Sequence, residues 1–480
     1  MNDAERTDAR RRRRSLLCLF LPALLSLAPA AAQPVLYEGV TVIDPGSRSV
    51  LEDQRIVVRG KLIRGIEPSS TPRGRGRVVD AQGLFAIPGL IDLHVHVNTP
   101  VLSDDDLQWT LDKLLDHGVT GVRDMATGCW PPRFLARRCL DDMRTVQREL
   151  ERGKRRGPRL LKLSSGVVYG SSQRDNLPED VEAFWAPETF EEGELLGQAL
   201  RRKGFDLIKI YNSVPRDAYR GILRGAGDLE VSGHLPLGVS LVDAAQAGHR
   251  TLEHARDLPL ACSRYGSTYR DTMEKVLAGD LATEPPTAEE RLRNTLDSFD
   301  EELCDKVLST LAETGTWLVP THGTREMDAR AAEEEYRAAI PDDLPKMLRL
   351  SWNRDLKNTA EVAPQLGELY KIFYRLGIEL TGRAHRAGVR VVVGTDANDT
   401  MIVPGLSVHE ELERLAEAGL EPMEILRAAT TLPAEYLGDE TIGALAAGKR
   451  ADFLLLRANP LDDISNTRTI ETVVLGGESQ

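Results

Sequence analysis

The chain has 480 residues, 41% hydrophobic and 28% charged, with 61 Lys and Arg against 74 Asp and Glu and a formal net charge of −13. That length suits one large barrel with an accessory domain rather than one small domain. The mixed composition excludes a long disordered region, and the acidic balance argues against nucleic acid or an anionic membrane as partner.

Residues 1–32 read as a secretory signal peptide, not as part of the fold. Arg10 to Arg14 precede the apolar run SLLCLFLPALLSLAPA, and PAAAQ supplies small residues for cleavage after Ala32. Arg13-Arg14-Ser15-Leu16-Leu17 resembles a twin-arginine signal. A periplasmic or secreted protein is expected, with no stable membrane anchor after cleavage; an uncleaved anchor is the alternative. Cleavage removes six arginines and three acids, so the mature chain carries −16. Cys129, Cys139, Cys262 and Cys304 remain, and three pairings are open to them. Cys129–Cys139 and Cys262–Cys304 are favoured, because each pair brackets one loop insertion. None lies in a CxxC pair, which argues against a zinc–cysteine site.

Residues 35–87 alternate apolar and polar positions between turns (VLYEGVTVID, QRIVVRGKLIRGIE, RVVDAQGLFAIPG), the pattern of short strands. ADFLLLRANP and TIETVVLGGE near the C-terminus have the same character. A small β-sandwich built from both chain ends, 33–88 and 437–480, is therefore expected. Between them, eight short apolar runs alternate with helical stretches: GLIDLHVHV, GVTGVRDM, RLLKLSSGVV, FDLIKIYN, LEVSGHL, TLEHAR, TWLVPTHGT and VRVVVGTDA. Several helical stretches end in Gly, a usual helix stop. This alternation predicts an α/β fold, a (β/α)8 TIM-type barrel over 89–436. Insertions at 128–158 and 325–375 follow the second and seventh strands, at the end where barrel enzymes build their pockets.

The unusual residues fall at strand ends. His94 and His96 are two apart on the first strand and so share a face. Lys209 is near the end of the fourth, His234 ends the fifth, His254 the sixth and Asp396 the eighth. A lone strand-end His is more often a satisfied polar residue than a ligand, and a single Asp after Gly is often a helix cap. Together they favour a metal, because several desolvated imidazoles without partners would cost a few kcal/mol per group. A lysine made neutral by burial can react with carbon dioxide, and the carbamate can bridge two ions about 3.5–4 Å apart.

This set, with GLIDLHVHV, GVTGVRD, DLIKIY, TLEHA, GTDA and IGALAAGKRADFLLL, resembles the amidohydrolase superfamily, in its imidazolonepropionase-related and Xaa-Pro dipeptidase (prolidase)-like branch. The resemblance spans about 35–475. It implies one metal on His94, His96 and Asp396, a second on His234 and His254, and carbamylated Lys209 bridging both. Two divalent ions are expected, and zinc suits imidazole and carboxylate ligands. The implied reaction is hydrolysis of an amide or peptide C–N bond by metal-activated hydroxide. Asp396 would be the general base and would then pass its proton to the leaving amine.

Tyr211 shares the face of Lys209 and is expected to donate to a substrate carbonyl or carboxylate, with plain packing as the alternative. His322 is expected to line the substrate pocket, and His409 to support a ligand by a hydrogen bond. Arg123 and Asp124 read as an internal ion pair, and His117, His249 and His385 as structural or surface residues. Leu235-Pro236-Leu237 after His234 is more apolar than in peptidase-type relatives, which weakens a dipeptidase reading. The expected partner is a small-molecule amide or peptide of the dipeptide or N-acyl amino acid class. A homo-oligomer stays open. The alternatives are a cyclic amide or lactone hydrolase on the same metals and an inactive binding protein on the same scaffold. The complete six-residue set argues against the last.

Overall fold

In a computed structural model the described residues are 33–98, 103–127, 138–170 and 186–480. The expected signal peptide and Cys129 lie outside them. Strands β1 (Val35–Asp44), β2 (Ser49–Arg59), β3 (Leu62–Pro68), β4 (Arg77–Asp80) and β5 (Phe85–Pro88) open the chain. The C-terminal strands β13 (Phe453–Leu456), β14 (Ile470–Leu475) and β15 (Glu478–Ser479) return to them, and β13 pairs antiparallel with β5. Both chain ends thus share one eight-stranded sheet. Its inward side chains form their own core, in which Tyr37 meets Phe453 edge to face at 5.2 Å.

The middle of the chain closes a ring. β6 (Leu90–Val95), β7 (Val119–Asp124) and β8 (Arg159–Leu163) pair in parallel, as do β9 (Leu207–Ile210), β10 (Glu230–Gly233), β11 (Thr251–Glu253) and β12 (Trp317–Val319). Parallel bridges Ser164↔Leu207 and Val168↔Ile210 join the two groups. The eighth segment bridges β12 at Leu318↔Val391 and β6 at Val95↔Ala397. Eight parallel segments in sequence order, each bound to the next and the last to the first, make a (β/α)8 barrel. The eighth is held by isolated bridges rather than a full ladder.

The helices are α1 (Asp104–Asp116), α2 (Leu140–Glu151), α3 (Phe190–Lys203), α4 (Arg216–Ala226), α5 (Leu241–Gln246), α6 (Asp257–Ala261), α7 (Tyr265–Leu277), α8 (Ala288–Asp297), α9 (Glu301–Thr314), α10 (Gly323–Arg330), α11 (Glu334–Ala338), α12 (Lys346–Arg386), α13 (Leu406–Glu417), α14 (Pro422–Ala429) and α15 (Thr431–Leu437). Their ends follow local chemistry. Ser103, Thr189 and Thr287 form capping boxes with Asp106, Glu192 and Glu290. α3 stops at Gly204, whose φ of 82° an L side chain would resist. The second insertion is helical, as its pattern suggests, and leads into the 41-residue α12, which runs through Pro364. Among the described residues no helix is long and apolar enough to cross a membrane.

Cys262 and Cys304 are joined, with Cα atoms 4.2 Å apart, and the bond ties the end of α6 to α9. Cys139 is also disulfide-bonded. Closing a 42-residue separation restricts the unfolded chain. Replacing Cys262 and Cys304 together by Ser is expected to cost roughly 2–4 kcal/mol, read as a lower denaturant midpoint with a slope equal to or steeper than the parent's. An unchanged midpoint would show that this loop adds no stability.

Candidate metal centre

β6 delivers His94 and His96 to the barrel interior through a break in its alternation. Ile91 and Leu93 pack with Trp317, Val319 and Val392, whereas Val95 and Val97 join the core beneath the helices. A register irregularity between Asp92 and Val95 resets the period, so both imidazoles lie on the inner side. The neighbouring backbones come close because two residues lack a side chain. A Cβ at Gly394 would lie 2.3 Å from Val319 Cγ1 and 2.9 Å from His94 Cβ. A Cβ at Gly233, just before His234, would lie 2.5 Å from the Ile210 carbonyl oxygen.

The six expected residues meet in one network. Asp396 Oδ1 lies 2.8 Å from His96 Nε2 and 3.3 Å from His94 Nε2, and its Oδ2 lies 3.7 Å from His254 Nδ1. Lys209 Nζ is 3.1 Å from His94 Nε2, and His234 Nε2 is 2.8 Å from His254 Nε2. Ligand atoms of His94, His254 and Asp396 lie within 4.8 Å of one another. His254 and Asp396 have φ of 68° and 70°, and Thr321 and Asn398 are also left-handed. Such conformations cost about 1–3 kcal/mol each and cluster at functional sites. At His254 the left-handed turn has a clear effect. Thr251 and Glu253 share the inward face of β11, and the turn brings the next side chain to the same mouth.

Beneath this network lie Arg123, expected there in an ion pair, and Glu253 and Glu230, which the sequence reading did not single out. Glu253 Oε2 lies 2.7 Å from His94 Nδ1, and Arg123 reaches Glu253 at 2.6 Å and Glu230 at 3.7 Å. With Nδ1–H donating to Glu253, His94 turns its Nε2 lone pair toward Lys209 and Asp396. The expected Arg123–Asp124 pair does not form. Asp124 instead accepts from Val97 N at 3.0 Å and from the Thr127 hydroxyl. Neighbouring strand positions point to opposite faces, so adjacent residues 123 and 124 cannot meet. Glu253 carried a signal, a charge inside the apolar run TLEHA.

Burial draws His94 down to about 4 and puts His234 and His254 well below the usual imidazole range. It also lowers Lys209 to about 8, against the pull of Glu253 and Asp396. For Asp396 and Glu253 burial works the other way. His94 and His96 outweigh it at Asp396 and hold that carboxyl far below its ordinary range. Arg123 and His94 hold Glu253 at about 2. The site therefore combines neutral imidazoles, an ionised carboxylate and an amine near its titration point. That donor set fits a divalent cation at His94, His254 and Asp396, with His96 and Lys209 beside them. His234 differs: Arg256 Nη2 donates to its Nδ1 at 2.9 Å, leaving the ring proton on Nε2, so Arg256 must release this ring before it can ligate.

A cavity of about 410 Å³ opens over the network, lined by His96, Lys209, His234, His254 and Asp396. Tyr211 also lines it, its ring 4.6 Å from that of His234 and 4.9 Å from that of Tyr169. Asn398, another lining residue, has a buried Oδ1 with no partner among the described residues. His322 does not line this cavity but an adjacent one of about 330 Å³. His409 supports no ligand. Its Nδ1 meets the Thr467 hydroxyl at 2.8 Å and its Nε2 the His117 carbonyl at 3.0 Å, because α13 leads away from the mouth after Asp396. His117 and His249 serve packing, on the Lys113 carbonyl and the Tyr219 hydroxyl.

Arg123→Met is expected to cost about 3–5 kcal/mol, because it leaves Glu253 charged and buried without its main partner. Denaturant unfolding checks this, and a cost below about 1 kcal/mol would contradict the ion-pair account.

Comparisons with known proteins agree with this architecture. A model of the Amidohydrolase family matches residues 288–479. The adenine deaminase of Deinococcus deserti is 27% identical over 462 residues, which cover 93% of this chain and 60% of that protein. This chain thus spans about three-fifths of the length of that relative. Among solved structures, a Xaa-Pro dipeptidase with methionine bound in its active site superposes with a TM-score of 0.64 at 18% identity, covering 93% of this chain and 99% of that one. The bottromycin amidohydrolase gives 0.67 at 20%, covering 92% and 86%. At such identities the structures establish the fold. The amidohydrolase resemblance read from the sequence is borne out, in the family match of the C-terminal part and in the architecture of nearly the whole chain.

Proposed function

We propose that this protein is an exported, binuclear metal-dependent amidohydrolase that cleaves an amide or peptide C–N bond in substrates of the dipeptide or N-acyl amino acid class. One observation carries the reading: His94, His96, Lys209, His234, His254 and Asp396, from five barrel segments, meet beneath one cavity. The likenesses to a Xaa-Pro dipeptidase and to the bottromycin amidohydrolase support it. The basic and apolar pattern of residues 10–32 supports export.

Divalent ions held by these residues supply polarisation of the scissile carbonyl and a water of lowered pKa. Asp396, ionised and facing three imidazoles, accepts the proton of the attacking water and delivers it to the departing nitrogen. Glu253 fixes the tautomer and orientation of His94. Lys209 in its neutral form would take up carbon dioxide, the amine nitrogen bonding to carbon and releasing one proton to solvent, and the resulting carbamate would help hold the divalent ions. Tyr211, on the cavity wall, donates its hydroxyl to a substrate oxygen.

A turnover screen of the zinc-supplied protein against dipeptides, N-acyl amino acids, cyclic amides and lactones tests this. Hydrolysis confined to the first two groups supports the reading. Turnover of only cyclic amides or lactones would replace it.

A further inference from the structure

The adjacent cavity has the character of a selective binding chamber. It meets the metal-facing cavity at Arg256 and Arg325, which line both. Its apolar wall includes Leu237, Leu292 and Phe373, with rings of Tyr269, Tyr370 and Tyr374 around it. Charged and polar residues, Arg291 and Asp328 among them, also line it, and two of its polar residues hold buried atoms without a partner among the described residues. His322 is 1% exposed, and neither of its ring nitrogens has a partner among the described residues. Asp257 Oδ2 is likewise buried and unpartnered. Buried polar atoms are nearly always satisfied, so two such groups facing one cavity point to an occupant that satisfies them. Burial pushes His322 down to about 3, so its ring is neutral and offers one donor and one acceptor. Above His322, α12 carries Gly377, where a Cβ would lie 4.0 Å from His322 Cε1 and Nδ1. The chamber keeps its depth there because that residue has no side chain.

We propose that this chamber receives an aromatic group of the substrate bearing an O–H or N–H donor, and so selects amides that carry one. The inference rests on the amidohydrolase reading of the neighbouring cavity. The aromatic walls suit a flat ring, offering edge-to-face and stacked contacts. His322 and Asp257 favour a ring with a polar donor over a plain one, because the plain ring leaves them unpaired.

Calorimetric titration of the full-length protein with 3-(4-hydroxyphenyl)propanoate and 3-phenylpropanoate tests this apart from turnover. The hydroxylated probe is expected to bind at least about tenfold more tightly. His322→Leu should erase most of that preference. Gly377→Leu, which extends a side chain into the chamber, should weaken both probes at least about tenfold at unchanged melting temperature. No binding by the parent protein, equal binding by Gly377→Leu, or a full preference retained in His322→Leu would each overturn the proposal. The two readings separate in the outcomes. Probe binding sensitive to Gly377→Leu in a protein that cleaves no amide would keep the chamber and sink the hydrolase reading. Cleavage of small dipeptides with indifference to both substitutions would do the reverse.

Discussion

Asp396→Asn is expected to leave metal content and melting temperature close to the parent values and to lower turnover by about 100- to 10,000-fold, the range of a lost general base. Asn keeps the shape of the side chain and one carbonyl oxygen toward His96 and His94, now 2.8 and 3.3 Å from Asp396 Oδ1. It loses the charge, and with it the ability to take a proton. The parent carboxylate stays ionised through any working pH, because His94 and His96 outweigh its burial. The loss should therefore appear in kcat rather than KM. Full activity in this variant would remove Asp396 from the proton transfer.

Lys209→Ala is expected to lower bound metal from two ions per chain to one or none, with activity falling more than about 100-fold, beyond the loss typical of residues that merely support ligands. The amine is 2% exposed and sits against His94. An ammonium there would repel a metal, and its removal alone should then improve binding. A carbamate would instead be a ligand lost. The two accounts predict opposite signs, which makes the metal count decisive. Lys209→Met, which nearly keeps the volume, should behave like Lys209→Ala and so separate ligand loss from a packing defect. Burial lowers this amine to about 8. At pH 6 the inert ammonium then outnumbers the reactive amine by about a hundred to one. Reloading of metal-stripped protein with zinc and bicarbonate should slow as pH falls from 8 to 6. Unchanged metal content in both variants would refute the bridging role.

Much of the site was legible because strand alternation is strict where a barrel is buried. His94 and His96, Lys209, His234, His254 and Asp396 each stood at the end of an apolar run, and the structure gathers all six. What the pattern could not show was local departure from that period. The irregularity between Asp92 and Val95 and the left-handed backbone at His254 decide which side chains turn inward. Glu253 was hidden for this reason, since its neighbour His254 seemed to own the inward face. Arg123 was read with its sequence neighbour Asp124, but its partners Glu253 and Glu230 come from strands more than a hundred residues away. His409 follows a strand end, and proximity in sequence alone suggested the site, but helix direction carries it away. His322 lines the cavity adjoining the network instead of the one above it. The long α12 defeats pattern reading in another way: Pro364 would normally mark an end, yet the helix continues beyond it.

The central claim is that six side chains from five barrel segments hold a pair of divalent ions. Elemental analysis of the full-length protein, prepared with zinc and bicarbonate and freed of loosely bound metal, tests it most directly. Close to two ions per chain is the predicted result, and a value near zero would contradict the account.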